Sequence, residues 1–97
     1  NTESCNTFAG GIAVRVAIPE AVDLMLEVVD EMWLISENEI KRAMTLYYEI
    51  SNQLLEGAGA AALAAVLKFS KKVKNKTICL IASGSNIDEK LKQEVLP

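Results

Sequence analysis

The stretch Gly57-Ala58-Gly59-Ala60-Ala61-Ala62-Leu63-Ala64-Ala65 constrains the fold of this chain more than any other. Alanine is the best helix former, and a helix this poor in side chains is apolar all round, which predicts burial on most of its sides. Its small residues also let a backbone or a flat ligand come close. Glu56 leads directly into it. A second run, Thr77-Ile78-Cys79-Leu80-Ile81-Ala82, reads as a buried strand and stops abruptly in Ser83-Gly84-Ser85-Asn86. Such an ending sets a hydroxyl and free backbone amides at the carboxyl edge of a sheet, where open α/β sheets bind ligands. The two segments together are expected to wall a ligand site.

The rest of the chain supplies the layers around them. Gly10–Ile18 reads as part loop and part strand. Pro19 suits the first turn of a helix, where its missing donor costs nothing. Val22, Met25, Leu26 and Val29 recur at helical spacing, predicting an amphipathic helix to about Asp30. Met32-Trp33-Leu34-Ile35 then reads as a short buried strand. Ser36-Glu37-Asn38-Glu39 has the form of a capping box, and the helix it opens carries Ile40, Ala43, Met44, Tyr47 and Ile50 on one face. The Gly/Ala helix runs to about Phe69. Lys68, Lys71, Lys72, Lys74 and Lys76 form a solvated basic turn, and the lysines near Phe69 complement the negative end of that helix. Ile87–Leu96 reads as a last helix. Helices alternating with apolar strands predict an α/β fold: part of a three-layer parallel sheet flanked by helices, with residues 1–97 as one unit.

Several functions are excluded on composition. The chain has no histidine, which rules out a Ser-His-Asp triad, a His general base or a His-ligated zinc built from its own residues. Cys5 and Cys79 have no metal or redox spacing, and Cys79 reads as a small buried hydrophobe. Both fit a reducing, cytoplasmic setting. The net charge of -3 argues against a nucleic-acid partner. No apolar run approaches the ~20 residues needed to span a bilayer, and the polar N-terminal residues do not read as a signal peptide. No metal site is expected.

Single motifs say less. Gly57-Ala58-Gly59-Ala60-Ala61-Ala62 fits the G-x-G-x-x-G/A dinucleotide pattern, but a helix rather than a strand precedes it. The acidic residue expected about 20 positions on is also missing. Taken alone, Glu56 is a carboxylate at a helix start, Ser83 a strand-end residue, and Arg15 a solvated cation beside Gly10-Gly11. From residues alone, a small α/β interaction domain without a cofactor remains an alternative. The all-apolar helix argues against it, because 97 residues offer few layers to cover that surface.

Four separated segments, taken in order, go further. GGIAV (Gly10–Val14), DEMWLISENEI (Asp30–Ile40), LLEGAGAAALAA (Leu54–Ala65) and ICLIASGSNID (Ile78–Asp88) resemble the threonine dehydratases. These are fold-type II pyridoxal-phosphate enzymes, close to serine racemases and serine dehydratases. The resemblance runs from Thr7 to Asp88. It implies pyridoxal 5'-phosphate as cofactor, a small hydroxy amino acid as substrate, and β-elimination to a 2-oxo acid and ammonia; a serine racemase or another fold-type II enzyme is the alternative. It further implies a homo-oligomer.

The resemblance also implies site residues. Ser83 would stand against the pyridine nitrogen of the cofactor, where a neutral hydroxyl does not hold a pyridinium as a carboxylate would. Glu56 would lie beside the ring. Gly57 and Gly59 would let the helix approach, and Gly84 and Asn86 would shape the turn under the ring. Ser85 departs from the family's usual Gly or Ala. The family's Schiff-base lysine, in an S-F-K-x-R-G-type segment, has no counterpart here, nor has its phosphate-binding glycine loop. The expectation is therefore a C-terminal portion of a catalytic domain, inert alone and prone to oligomerise.

Overall fold

A computed structural model describes residues 3–84 and 87–96. It comprises a 3-10 turn at Gly10–Ile12 and four helices: α1 (Pro19–Val28), α2 (Glu37–Ser51), α3 (Gly57–Lys68) and α4 (Glu89–Val95). The α2–α3 pair is the centre of the molecule.

Helix α2 begins as its sequence dictates. The Ser36 hydroxyl accepts from the Glu39 amide at 3.1 Å, and the Glu39 carboxylate accepts from the Ser36 amide at 2.7 Å, completing the capping box. Ile40, Ala43 and Met44 are buried, and Tyr47 packs against them. Ile50, expected on the same face, is 78% exposed, because the core ends one turn earlier. The helix stops at Asn52, which takes the left-handed conformation at φ 59° that asparagine tolerates.

Helix α3 turns Gly57, Gly59, Ala60 and Ala64 inward. Its alanines make a shallow surface that receives Met44, which is fully buried. The other faces of α3 are half-covered, and Leu67 is 46% exposed. Burial on most sides is thus corrected to burial on one face. Helix α4, capped by Asp88 through the Leu91 amide at 2.8 Å, adds Leu91 and Val95 to the core. Thr45 Oγ1 donates to the Val95 carbonyl at 2.6 Å, and Lys41 pairs with Glu94 at 2.8 Å, fastening α4 to α2.

The expected sheet is absent among the described residues: neither Met32–Ile35 nor Thr77–Ala82 forms a strand. A strand exists only through pairing, and nothing described pairs with these two. Met32, Leu34 and Ile81 are each about four-fifths exposed, whereas Trp33 and Leu80 are half-covered and Ile35 packs against the core. Cys79 is exposed, which corrects the reading of a buried hydrophobe. Residues 31–34 are instead held at the C-terminal end of α3. Trp33 stacks obliquely on Phe69 at 5.1 Å, Lys68 Nζ donates to the Leu34 carbonyl at 2.9 Å, and Lys72 reaches Glu31 at 3.6 Å. Two members of the lysine turn therefore anchor the fold, where a wholly solvated turn was expected.

Helix α1 ends two residues before the expected limit, with Val29 extended. None of its residues is buried. Its apolar face lies open: Met25, Leu26 and Val29, with Met32 beyond, line a surface groove of about 300 Å³.

Candidate functional site

Two segments far apart in sequence converge on the first turn of α3 at three points, and each approach depends on a glycine. The Glu56 amide donates to the Gly84 carbonyl at 2.9 Å, fastening the end of the 77–84 segment to the helix start. Gly84 has φ +76°, a left-handed conformation that glycine adopts without strain. A Cβ placed there would run into the Glu56 side chain, with Cγ at 2.5 Å and the carboxyl group nearer still. At Gly59 a Cβ would collide with the Ser83 carbonyl oxygen, and the carbonyl carbon would stand 2.6 Å away. Gly59 is therefore the residue that lets the Ser83 backbone lie directly on α3.

The third approach comes from the N-terminal side. A Cβ at Gly57 would meet the Phe8 ring at 2.5 Å and the Ala9 Cα at 3.3 Å. A Cβ at Gly11 would meet the Ala58 methyl at 2.9 Å and Glu56 Oε1 at 3.7 Å. The Glu56 carboxylate thus lies between the Gly10-Gly11 turn on one side and Gly84 on the other. Beside it opens a cleft of about 160 Å³ between Phe8, Gly11, Glu56 and Asp88. Across Ser83 and Gly84 a shallower groove of about 470 Å³ runs toward Leu54 and Leu55.

Of the residues expected at a site, Glu56, Gly57, Ser83 and Gly84 come together here. Asn86 lies outside the described residues, as does Ser85. Glu56 is half-buried, and its side chain does not cap α3, which leaves its carboxylate facing the cleft. The Ser83 hydroxyl is exposed. The space at Gly57 and Gly59 is taken by the chain's own Phe8 ring and Ser83 carbonyl. Phe8 and Gly11 were not singled out from the sequence. The Gly10-Gly11 pair was the available signal, since adjacent glycines mark a place where backbone comes close to something else.

The arrangement can hold and orient, and its chemistry is limited to a carboxylate, a hydroxyl and main-chain groups. The helix start is a favourable place for an acid because of the macrodipole. Lys71, Lys72, Lys74 and Lys76 follow the opposite end of α3, and a helix of 12 residues is about 18 Å long. Among the described residues no cluster of acids and cysteines could hold a metal ion, and no helix is long and apolar enough to cross a membrane.

Comparisons with known proteins bear on these same segments. A family model described as "Pyridoxal-phosphate dependent enzyme" matches residues 1–84. The chain is 40% identical over 82 residues to an L-threonine ammonia-lyase of Thermotoga maritima, a match covering 84% of this chain and 20% of that protein. An L-threonine ammonia-lyase of Geobacter sulfurreducens is 40% identical over 85 residues, covering 87% of this chain and 21% of the relative. A catabolic L-threonine dehydratase of Staphylococcus aureus is 36% identical over 86 residues, 86% of this chain and 25% of the relative. The chain spans about a fifth to a quarter of the length of these relatives. No solved structure matches it.

Proposed function

The chain belongs to the family of pyridoxal-phosphate dependent enzymes, and on that premise we propose that it supplies the cofactor-facing wall of a threonine dehydratase-like ammonia-lyase. The convergence of Glu56, Gly59 and Ser83-Gly84 at the start of α3 carries this reading. Three features of these residues support a cofactor there. The Ser83 hydroxyl has no partner among the described residues, the Glu56 carboxylate faces a cleft, and a Cβ at Gly10 would meet nothing within 4 Å.

Pyridoxal phosphate, when bound, supplies the electron withdrawal that loosens the substrate's α-proton and lets its β-hydroxyl leave. Ser83 would offer the ring a neutral hydroxyl, which would not hold its nitrogen protonated as a carboxylate would. Glu56 would border the bound group, and the Gly11 side of the cleft would limit how far it could move past. Gly84, with its positive φ, would shape the turn beneath it. The overall reaction takes a small hydroxy amino acid to a 2-oxo acid and ammonia, in line with the names of the relatives.

The lysine that carries the cofactor has no counterpart in a matching context here, so the 97 residues alone turn over no substrate. In this reading residues 32–35 and 77–82 are strands of the catalytic domain's parallel sheet, paired with neighbours from the rest of that domain. The same reading makes the protein a cytoplasmic homo-oligomer. Ser83→Ala in the intact lyase tests it. Turnover is expected to fall while the cofactor's visible absorption is retained; unchanged turnover removes Ser83 from the site.

A further inference from the structure

The loop that forms the third wall of the cleft is held by a residue that touches neither the cleft nor Glu56. Residues 7–11 have little structure of their own beyond the single 3-10 turn. Glu37, the first residue of α2, grips them. Its carboxylate accepts the Thr7 hydroxyl through Oε1 and the Phe8 amide through Oε2 at 3.3 Å. Thr7 Oγ1 in turn accepts from the Ala9 amide at 3.1 Å. One carboxylate thus organises three consecutive residues, and its place in the first turn of a helix suits a negative charge.

The gripped residues lead straight to the cleft. Phe8 brings its ring onto Gly57, and Lys41, one turn further along α2, sits 5.5 Å from the centre of that ring. Ala9 is 1% exposed and locked in the core. Gly10 and Gly11 come next, and Gly11 fixes the near side of the Glu56 carboxylate. We propose that Glu37 is a positioning residue for the cofactor site, ordering the Thr7–Gly11 loop so that the wall opposite Glu56 is in place before the ligand arrives. This rests on the cofactor-wall reading above. A loop already ordered spares the ligand the entropy of ordering it.

The test uses the full-length enzyme carrying this chain, with Glu37→Gln, Glu37→Ala and Thr7→Val. Gln keeps one acceptor oxygen, Ala keeps none, and Thr7→Val removes a single hydroxyl without touching a helix. In the cofactor-free protein, amide exchange at Phe8 and Ala9 should accelerate about tenfold in Glu37→Ala, as losing charge-assisted hydrogen bonds implies. Glu37→Gln should fall between it and the parent. The dissociation constant for pyridoxal phosphate, by equilibrium dialysis, should rise in the same order by a similar factor. Faster exchange with unchanged cofactor affinity would make Glu37 merely structural and overturn the proposal, as would unchanged exchange. Failure of the parent protein itself to bind pyridoxal phosphate would sink the cofactor reading and this inference with it.

Discussion

Substituting Gly59 with alanine adds one methyl group at the point where α3 and Ser83 touch, and the structure sets the direction of the effect. Helix propensity alone favours the change by up to about 1 kcal/mol. Against that, the new Cβ would overlap the Ser83 carbonyl oxygen and stand 2.6 Å and 3.0 Å from its carbonyl carbon and amide nitrogen. These are main-chain atoms and cannot rotate aside, so residues 83–84 must lift off the helix. Overpacking of this kind costs about 1–3 kcal/mol. Lifting Gly84 also strains or breaks its 2.9 Å bond from the Glu56 amide, another ~0.5–1.5 kcal/mol. The net expectation is a loss of about 1–3 kcal/mol, and each kcal/mol moves the midpoint by roughly 4–8 °C in a domain of this size. Urea unfolding followed by the fluorescence of Trp33, the one tryptophan of the chain, measures it. Gly10→Ala is the control, since a Cβ there meets nothing within 4 Å; its effect should stay within about 0.5 kcal/mol. A Gly59→Ala variant as stable as the parent would show that Ser83 does not rest on α3, and the assignment of the site would fall with it.

Other parts of the molecule give measurable outcomes as well. Ser36→Ala removes the hydroxyl of the capping box and should cost about 1 kcal/mol of stability, measured by the same urea unfolding. The Glu39 carboxyl is held below its ordinary pKa, chiefly by the Ser36 amide, and the Glu94 carboxyl likewise, chiefly by Lys41. A carboxyl lowered in the folded state adds stability above its unfolded pKa and loses it as the pH falls through the folded value. Acid titration of stability should therefore drop below the ordinary glutamate range, and Glu39→Gln should flatten that drop. Finally, Leu26, Met32 and Leu34 are 78%, 80% and 84% exposed, so the isolated chain should self-associate, as read by light scattering over a dilution series. Leu26→Lys with Met32→Lys should reduce that association, and a clean monomeric parent at high concentration would contradict it.

Much of the local structure was legible because its causes are local. The capping box at Ser36–Glu39, the Pro19 helix start, the alanine helix and the Asp88-led final helix all depend on residues within a turn of one another. Glu56, Gly57, Ser83 and Gly84, which the resemblance implied as site residues, lie together at the start of α3. The reasons they meet were not legible. That Gly59 yields its space to the Ser83 carbonyl, and Gly57 to Phe8, depends on which segments fold back onto α3, and no spacing along the chain encodes that. The Glu37 grip on Thr7 and Phe8 was hidden for the same reason, since Glu37 also satisfied a helix-start pattern that accounted for it locally.

The missing strands are the more instructive mismatch. Met32-Trp33-Leu34-Ile35 and Ile78-Cys79-Leu80-Ile81 are apolar at every position rather than at alternate ones. That pattern specifies a strand covered on both faces and paired on both edges, as in the middle of a parallel sheet. Among the described residues neither condition is met: Met32, Leu34, Ile78 and Ile81 are exposed, while Trp33, Ile35 and Leu80 are only half-covered. The helical core of Ile40, Met44, Ala60 and Val95 needs no sheet to close, which is why it forms without one. The site is then divided between two kinds of support. Glu56 and Gly59 stand on the closed helical core, whereas Ser83 comes at the end of a run whose sequence asks for neighbours. Fixing that run between paired strands would restrict Ser83 further, through the same Gly84–Glu56 bond that already ties it to α3. The helix start sets where the hydroxyl lies, and strand pairing would set how firmly it stays there.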